Sequence, residues 1–336
     1  MPTDIPQWSK VDRRLFENEI LPIGRPVVFK GAAGHWPLVQ RRTDSAAAIV
    51  DYLRTFNPGT QVEWLAGEPK INGRFFYNEA MNGMNFRRVR GTFAEALTLL
   101  LRHLEDPAPP ALSLQALPLS VHLPNMELQH RLDLPPPGTQ ATAWIGNALT
   151  VAAHFDFNDN IACVVSGRRR FMLFPPEQLE NLYVGPLEFT PQGVPISLVD
   201  VHNPDLARYP RFERAAAAAQ LAELEAGDAI FIPYMWWHSV RSLAPFNMLI
   251  NYWWNSARRP LSAPFLCLLH GAIAIANLPS PQREVWKTFF DHYVFQIHGD
   301  PAAHIARERR GLLGSLSPEQ AAQSTATLAQ LLSGMR

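Results

Sequence analysis

The chain has 336 residues, 47% of them hydrophobic and 18% charged, with 30 Lys+Arg against 30 Asp+Glu. That length supports a large core in one big domain or two joined ones, and a zero net charge argues against a general phosphate-binding surface, so nucleic acid is not an expected partner. Two cysteines, Cys163 and Cys267, make neither a zinc spacing nor a disulfide framework; with no apolar run of about 18 residues and no basic-then-apolar start, a cytoplasmic protein without a membrane span is expected.

Residues 1–110 read as an α/β extension packing on a β-rich core. Val11 to Glu19 has a short helical pattern, and Pro26 to Phe29 is a compact strand signal ended by Lys30-Gly31. Ser45 to Phe56 has helical spacing, opens at Asp44 or Ser45 and stops at Asn57-Pro58-Gly59. Gln61 to Leu65 and Phe75 to Tyr77 read as strands. Phe93 to Glu105 reads as an amphipathic helix opening at Thr92.

Between 111 and 257 the pattern changes to many short strands. They fall at Leu112 to Gln115, Ala143 to Ile145, Asn160 to Val165, Phe171 to Phe174, Ala229 to Ile232, Val240 to Leu243 and Met248 to Trp254. Gly/Pro turns such as Ser166-Gly167, Pro175-Pro176 and Gly227-Asp228 separate them, which points to a sandwich or barrel. Residues 258–336 turn helical again, at Leu261 to Ala276, Gln282 to Gln296 and Pro318 to Leu332. Val285, Phe289, Tyr293 and Val294 share one face, so a homodimer through these helices is the expected assembly. The basic runs Arg87-Arg88 and Arg307 to Arg310 read as solvated surface.

The stretch Ala153-His154-Phe155-Asp156 places an imidazole and a carboxylate two residues apart in a strand-like run, where i and i+2 project to one side. Gly227-Asp228, five residues before Pro233 and ten before His238, supplies a turn, a strand and a second imidazole. His154, Asp156 and His238 are therefore read as ligands of one metal. Two His and one carboxylate on one side leave positions open, a donor set suited to non-haem Fe(II). Asp228 reads as a turn residue.

These residues carry a resemblance. With Gly167-Arg168-Arg169-Arg170, Leu173-Phe174-Pro175-Pro176, Asn203-Pro204-Asp205, Ile232-Pro233, Trp236-Trp237-His238 and Asn251-Tyr252-Trp253, the segment 110–255 resembles the cupin-like branch of the JmjC-type 2-oxoglutarate oxygenases, and within it an asparaginyl hydroxylase. The resemblance implies a mostly β fold with helical additions, whose core is a double-stranded β-helix, or jelly roll. It implies Fe(II) on His154, Asp156 and His238, 2-oxoglutarate as co-substrate, and hydroxylation of a protein side chain or small polar substrate. It implies that Arg169 anchors the distal carboxylate, where the family has Lys; this chain's only lysines are Lys10, Lys30, Lys70 and Lys287. Arg168 and Arg170 then point outward. Asn160 and Asn251 match co-substrate or metal-water contacts. The family's Thr, which shares that distal carboxylate, falls at Val151, so Thr150, one residue earlier, is the co-substrate-binding candidate, and the family's Tyr falls at Ser113. Gln115 matches a substrate-contacting position, and Trp237 is a candidate at the substrate mouth. A metal-dependent cupin of another chemistry and a non-catalytic ligand-binding module are the alternatives.

Overall fold

A computed structural model describes residues 2–41, 44–191, 193–255 and 263–334. Its first unit, Met1–Ser256, is mostly β-sheet with helical additions, in keeping with the expected jelly roll. In chain order the strands of its first 110 residues are β1 (Thr3–Asp4), β2 (Gln7–Ser9), β3 (Val27–Lys30), β4 (Gln61–Gly67), β5 (Arg74–Phe75) and β6 (Phe86–Thr92). Next come β7 (Ala111–Pro118), β8 (Ala141–Gly146), β9 (Thr150–His154), β10 (Asp159–Ser166) and β11 (Arg168–Phe174). The last are β12 (Gln220–Glu225), β13 (Ala229–Ile232), β14 (Trp237–Ser242) and β15 (Asn247–Trp254).

Two sheets result. One has six strands in the order β1-β12-β11-β14-β9-β5, and the other has nine in the order β2-β3-β13-β10-β15-β8-β7-β4-β6. Inward side chains of both sheets, among them Val28, Ala162, Val164, Phe171, Leu173, Ile230, Val240 and Leu249, make the filling between them. The back of the nine-stranded sheet is covered by α1 (Ala46–Arg54), α2 (Phe93–Arg102) and the entry segment, through Trp36, Leu53, Leu97 and Phe231. The residues before 111 belong to the same sheets, since β3 pairs with β13 and β4 with β7.

Local chemistry sets the boundaries. Ser45 caps α1 by accepting from Ala48 N, and Thr92 with Glu95 forms a reciprocal capping box on α2. Pro233 stops β13. Gly167 turns β10 into β11 at φ +77°; a Cβ there would stand 2.4 Å from Asn247 Oδ1 and 2.7 Å from Phe246 O. Phe75 to Tyr77 forms less strand than expected: β5 is two residues long, and Tyr77 makes an isolated bridge to Met84.

The second unit, Ala257–Arg336, is helical. It holds α3 (Pro264–Ile275), α4 (Ser280–Tyr293) and α5 (Pro318–Gly334). The expected junction at 257/258 and the expected helix start at Leu261 lie outside the described residues. Among the described residues no helix is long and apolar enough to cross a membrane.

Asp228 ties the turn before β13 to the end of β3. Its buried carboxylate pairs with Lys30 and accepts from Gly31 N at 3.0 Å and Glu225 N at 3.1 Å. Replacing Asp228 by Ala strands both amides, at a cost of about 2–4 kcal/mol in urea denaturation, whereas Asp228→Asn, which keeps an acceptor oxygen, costs less.

Candidate metal centre

His154 and His238 face each other across neighbouring antiparallel strands, β9 and β14, as direct register partners. Their ring centroids are 4.2 Å apart. Asp156 lies just past the end of β9 rather than on it, in the loop to β10. The loop still carries its carboxylate back to the pair, with Oδ2 3.6 Å from His238 Nε2. One ligand atom from each of the three residues lies within 4.8 Å of the others.

Both imidazoles are oriented by the backbone. His154 Nδ1 donates to Ala152 O at 2.9 Å, and His238 Nδ1 donates to Trp236 O at 3.0 Å. Each Nε2 lone pair is thereby left for a metal, and the partner carbonyl raises ligand basicity. Burial, with the nearby His238, holds His154 down at about 4, so this imidazole is neutral at physiological pH. Trp253 Nε1 donates to Asp156 Oδ2 at 3.0 Å, fixing the carboxylate from the opposite sheet. The two imidazoles and the carboxylate are the donor set of a transition metal such as Fe(II).

A polar chain runs inward from this point. Trp144 Nε1 donates to Asn251 Oδ1 at 2.8 Å, and Asn251 Nδ2 donates to Asn160 Oδ1 at 3.2 Å. Asn160 and Asn251 are both buried and lie on adjacent strands, β10 and β15. Arg169 sits further along the same interior, on the side of β11 that also carries Phe171 and Leu173. It is 8% exposed; its Nη2 donates weakly to Trp144 O at 3.5 Å, and its Nε is buried without a partner. Burial lowers it to about 10, which still leaves it charged at neutral pH. No carboxylate pairs with it among the described residues. Arg168 and Arg170, by strand alternation, point outward and share Glu223 at 3.1 and 3.0 Å.

Other expected positions fall elsewhere. Along β9 and β14 the register slips between His238 and Val240, so Val151 pairs with Val240 and packs in the interior cluster. Thr150 then pairs with Arg241, whose side chain is exposed, and faces away from the interior. The structure therefore does not bring Thr150 to the site; a β-bulge reverses the expected alternation. Trp237, adjacent to His238, points to the opposite side of β14. It is 2% exposed and packs edge-on against Phe155, so it is core and lines no substrate mouth. Ser113 is buried on β7. Gln115 stands where β7 slips against β8, half-buried and without a side-chain hydrogen bond among the described residues. Sequence reasoning assigns no role to Trp253 or Trp144, which the structure places beside the carboxylate and the asparagines. Two-residue alternation from Asn251 to Trp253 was the signal available for the first. A groove of about 1400 Å³ between β4, β6 and the 77–85 loop is lined by residues such as Trp64, Lys70, Phe86 and Arg87, away from the metal-centre residues.

Known proteins resemble parts of this chain in sequence. Lysine-specific demethylase JMJ31 of Arabidopsis thaliana is 38% identical over 114 residues, 34% of this chain and 20% of that protein. Human tRNA wybutosine-synthesizing protein 5 is 36% identical over 107 residues, 32% of this chain and 31% of that protein. Lysine-specific demethylase 8 of Danio rerio is 28% identical over 255 residues, 75% of this chain and 58% of that protein. The chain thus spans less than two thirds of the length of each of these relatives. The family model of the cupin-like domain matches residues 13–259, taking in β3 to β15 and all three metal-ligand candidates, and the chain belongs to that family.

Proposed function

We propose that this chain is an Fe(II)- and 2-oxoglutarate-dependent oxygenase that hydroxylates a protein side chain or a small polar substrate. One observation carries the reading: a His-Asp-His donor set shares its interior with a buried guanidinium that lacks a carboxylate partner among the described residues. His154, Asp156 and His238 would hold the metal and leave its remaining positions open to small ligands. Bound iron supplies the redox chemistry, coupling oxidative decarboxylation of 2-oxoglutarate to insertion of one oxygen atom into a C–H bond.

The protein's own contribution is position and charge. Leu173 is the register partner of His238, and Arg169 lies four residues back along β11, about 13 Å at strand rise. The long Arg side chain and an extended five-carbon diacid together span that distance. The planar fork can take a carboxylate bidentately, which meets the unpartnered Nε. Val151 has no hydroxyl and the Ser113 hydroxyl sits on a much shorter side chain than the Tyr the family resemblance implies, so Arg169 would carry more of the anchoring here. Asn160 and Asn251 would hold a water or carboxylate oxygen beside the metal. Trp253 would keep Asp156 aimed at it.

Two of the relatives are named lysine-specific demethylases, and the sequence itself resembles an asparaginyl hydroxylase, which together favour a protein side chain as substrate. Zero net charge speaks against a nucleic-acid backbone, although one relative is named for tRNA. In the second unit, α4 exposes Val285, Trp286, Phe289 and Tyr293 on neighbouring turns. This stripe suits a homodimer interface. Trp286→Glu with Phe289→Glu should convert a dimer to a monomer by light scattering behind size exclusion, while the cupin-like unit stays folded.

The decisive experiment is anaerobic titration of the purified chain with Fe(II), then with 2-oxoglutarate, and succinate measurement in air. One equivalent of each is expected to bind. His154→Ala and His238→Ala should lose stoichiometric metal. Arg169→Ala should keep metal but bind 2-oxoglutarate about 30- to 100-fold more weakly, the loss of a charge-assisted bidentate pair. Metal binding without 2-oxoglutarate binding would favour a cupin of another chemistry. Absence of metal would favour a ligand-binding module.

A further inference from the structure

The outer side of the six-stranded sheet carries an unusual row. Register partners run continuously from Arg74 on β5 to Thr150 on β9, Arg241 on β14, Arg170 on β11 and Glu223 on β12. Three arginines therefore stand in one cross-strand ladder, and two of them, Arg241 and Arg170, are directly opposite each other. Like charges in that position are destabilising. The row has too few carboxylates to balance it. Glu223 is shared between Arg168 and Arg170. Arg241 makes no ion pair or side-chain hydrogen bond among the described residues. Arg74 makes none either: its Cζ lies 3.9 Å from the Phe76 ring centroid, and its Nη2 is buried without a partner.

The spacing makes a clamp. At the usual strand separation, Arg74 and Arg241 stand about 10 Å apart, one on each side of Thr150. Thr150 is short, half-buried, and its hydroxyl has no hydrogen bond among the described residues. His202 borders the same spot, bonded through Nε2 to Ser239 Oγ at 3.1 Å. Burial lowers the His202 imidazole; Asp200 opposes that, and Arg241, Arg170 and Arg74 all reinforce it. Asp200 is the facing carboxylate. It accepts from His202 N at 3.1 Å and leaves the cluster with a positive excess.

We infer that Arg74, Thr150 and Arg241, bordered by Arg170 and His202, form a binding site for a phosphate dianion, free or as the monoester of a small molecule. Two guanidinium forks flanking a hydroxyl match three phosphoryl oxygens, and the dianion offsets the repulsion built into the ladder. The site is on the opposite side of the sheet from His154, His238 and Arg169, so it is independent of the proposed oxygenase chemistry.

The test is isothermal titration of the full chain with inorganic phosphate and, separately, with adenosine monophosphate, in chloride buffer of matched ionic strength. One saturable site is expected. Tighter binding of the nucleotide would assign a phosphorylated small molecule; equal or weaker binding would assign phosphate itself. Arg241→Gln, at an exposed position, and Arg74→Gln should each weaken binding about tenfold, and Thr150→Val about threefold. Arg283→Gln, in the second unit, should change nothing. Arg241→Gln should also keep or raise Tm in phosphate-free buffer while reducing the rise that a given phosphate concentration gives to the parent. No saturable binding of either probe, unchanged affinity in Arg241→Gln and Thr150→Val, or a lowered Tm of Arg241→Gln without phosphate would each overturn the inference.

Discussion

His154 and His238 are register partners on adjacent antiparallel strands, and that single pairing governs the rest of the molecule. Each imidazole is turned by a hydrogen bond to the carbonyl two residues before it, which leaves both Nε2 atoms free of the backbone. The third donor reaches them from a loop, and its position depends on Trp253 in the other sheet. A shift between the two sheets would move Asp156 relative to the histidines. Closure of the jelly roll and assembly of the site are one event, which is why the apolar filling around Phe171, Leu173 and Val240 lies directly beside the polar chain of Asn160, Asn251 and Trp144.

Charge is distributed by the same two-residue alternation. The run Arg168-Arg169-Arg170 looks uniform in sequence, yet β11 sends its ends to Glu223 in solvent and its centre into the interior. A buried guanidinium without a carboxylate is costly unless an anion completes it. Outside, Arg170 joins Arg241 and Arg74 in a ladder with the same imbalance. The six-stranded sheet therefore presents unneutralised positive charge on both sides, at two separate places, in a chain whose net charge is zero.

Much of the architecture is legible in the sequence. Strand signals bounded by Gly and Pro place most of the jelly roll, because turn residues there are set by backbone sterics at Gly167, Gly227 and Pro233. Asp228 is the turn residue its context suggests. Strands without an apolar signature leave no such trace. β6 is an Arg-rich edge whose residues Arg88 and Arg90 pair with Glu63, and β12, between the two-residue β1 and β11, alternates Glu with apolar residues and is half-exposed. Their strand form comes from pairing with neighbours rather than from composition. The expectations for Thr150 and Trp237 fail for a related reason. Counting by two along a strand fails across a bulge, and adjacency to a ligand means the opposite side of the sheet.

The sequence by itself determined the chemistry on offer: two imidazoles and a carboxylate at a spacing suited to a metal, an Arg where the resemblance implies a co-substrate anchor, and the periodicities of a β core with a helical tail. Those are properties of residue type and local spacing, which a linear chain displays directly. Tertiary structure alone decided which side each group faces. It put Val151 rather than Thr150 in the interior, buried Trp237 against Phe155, enlisted Trp253 to hold Asp156, and aligned Arg74, Thr150, Arg241 and Arg170 from four distant segments into one row. Register between strands far apart in sequence sets these positions, and register is a property of the closed sheets and not of any one segment.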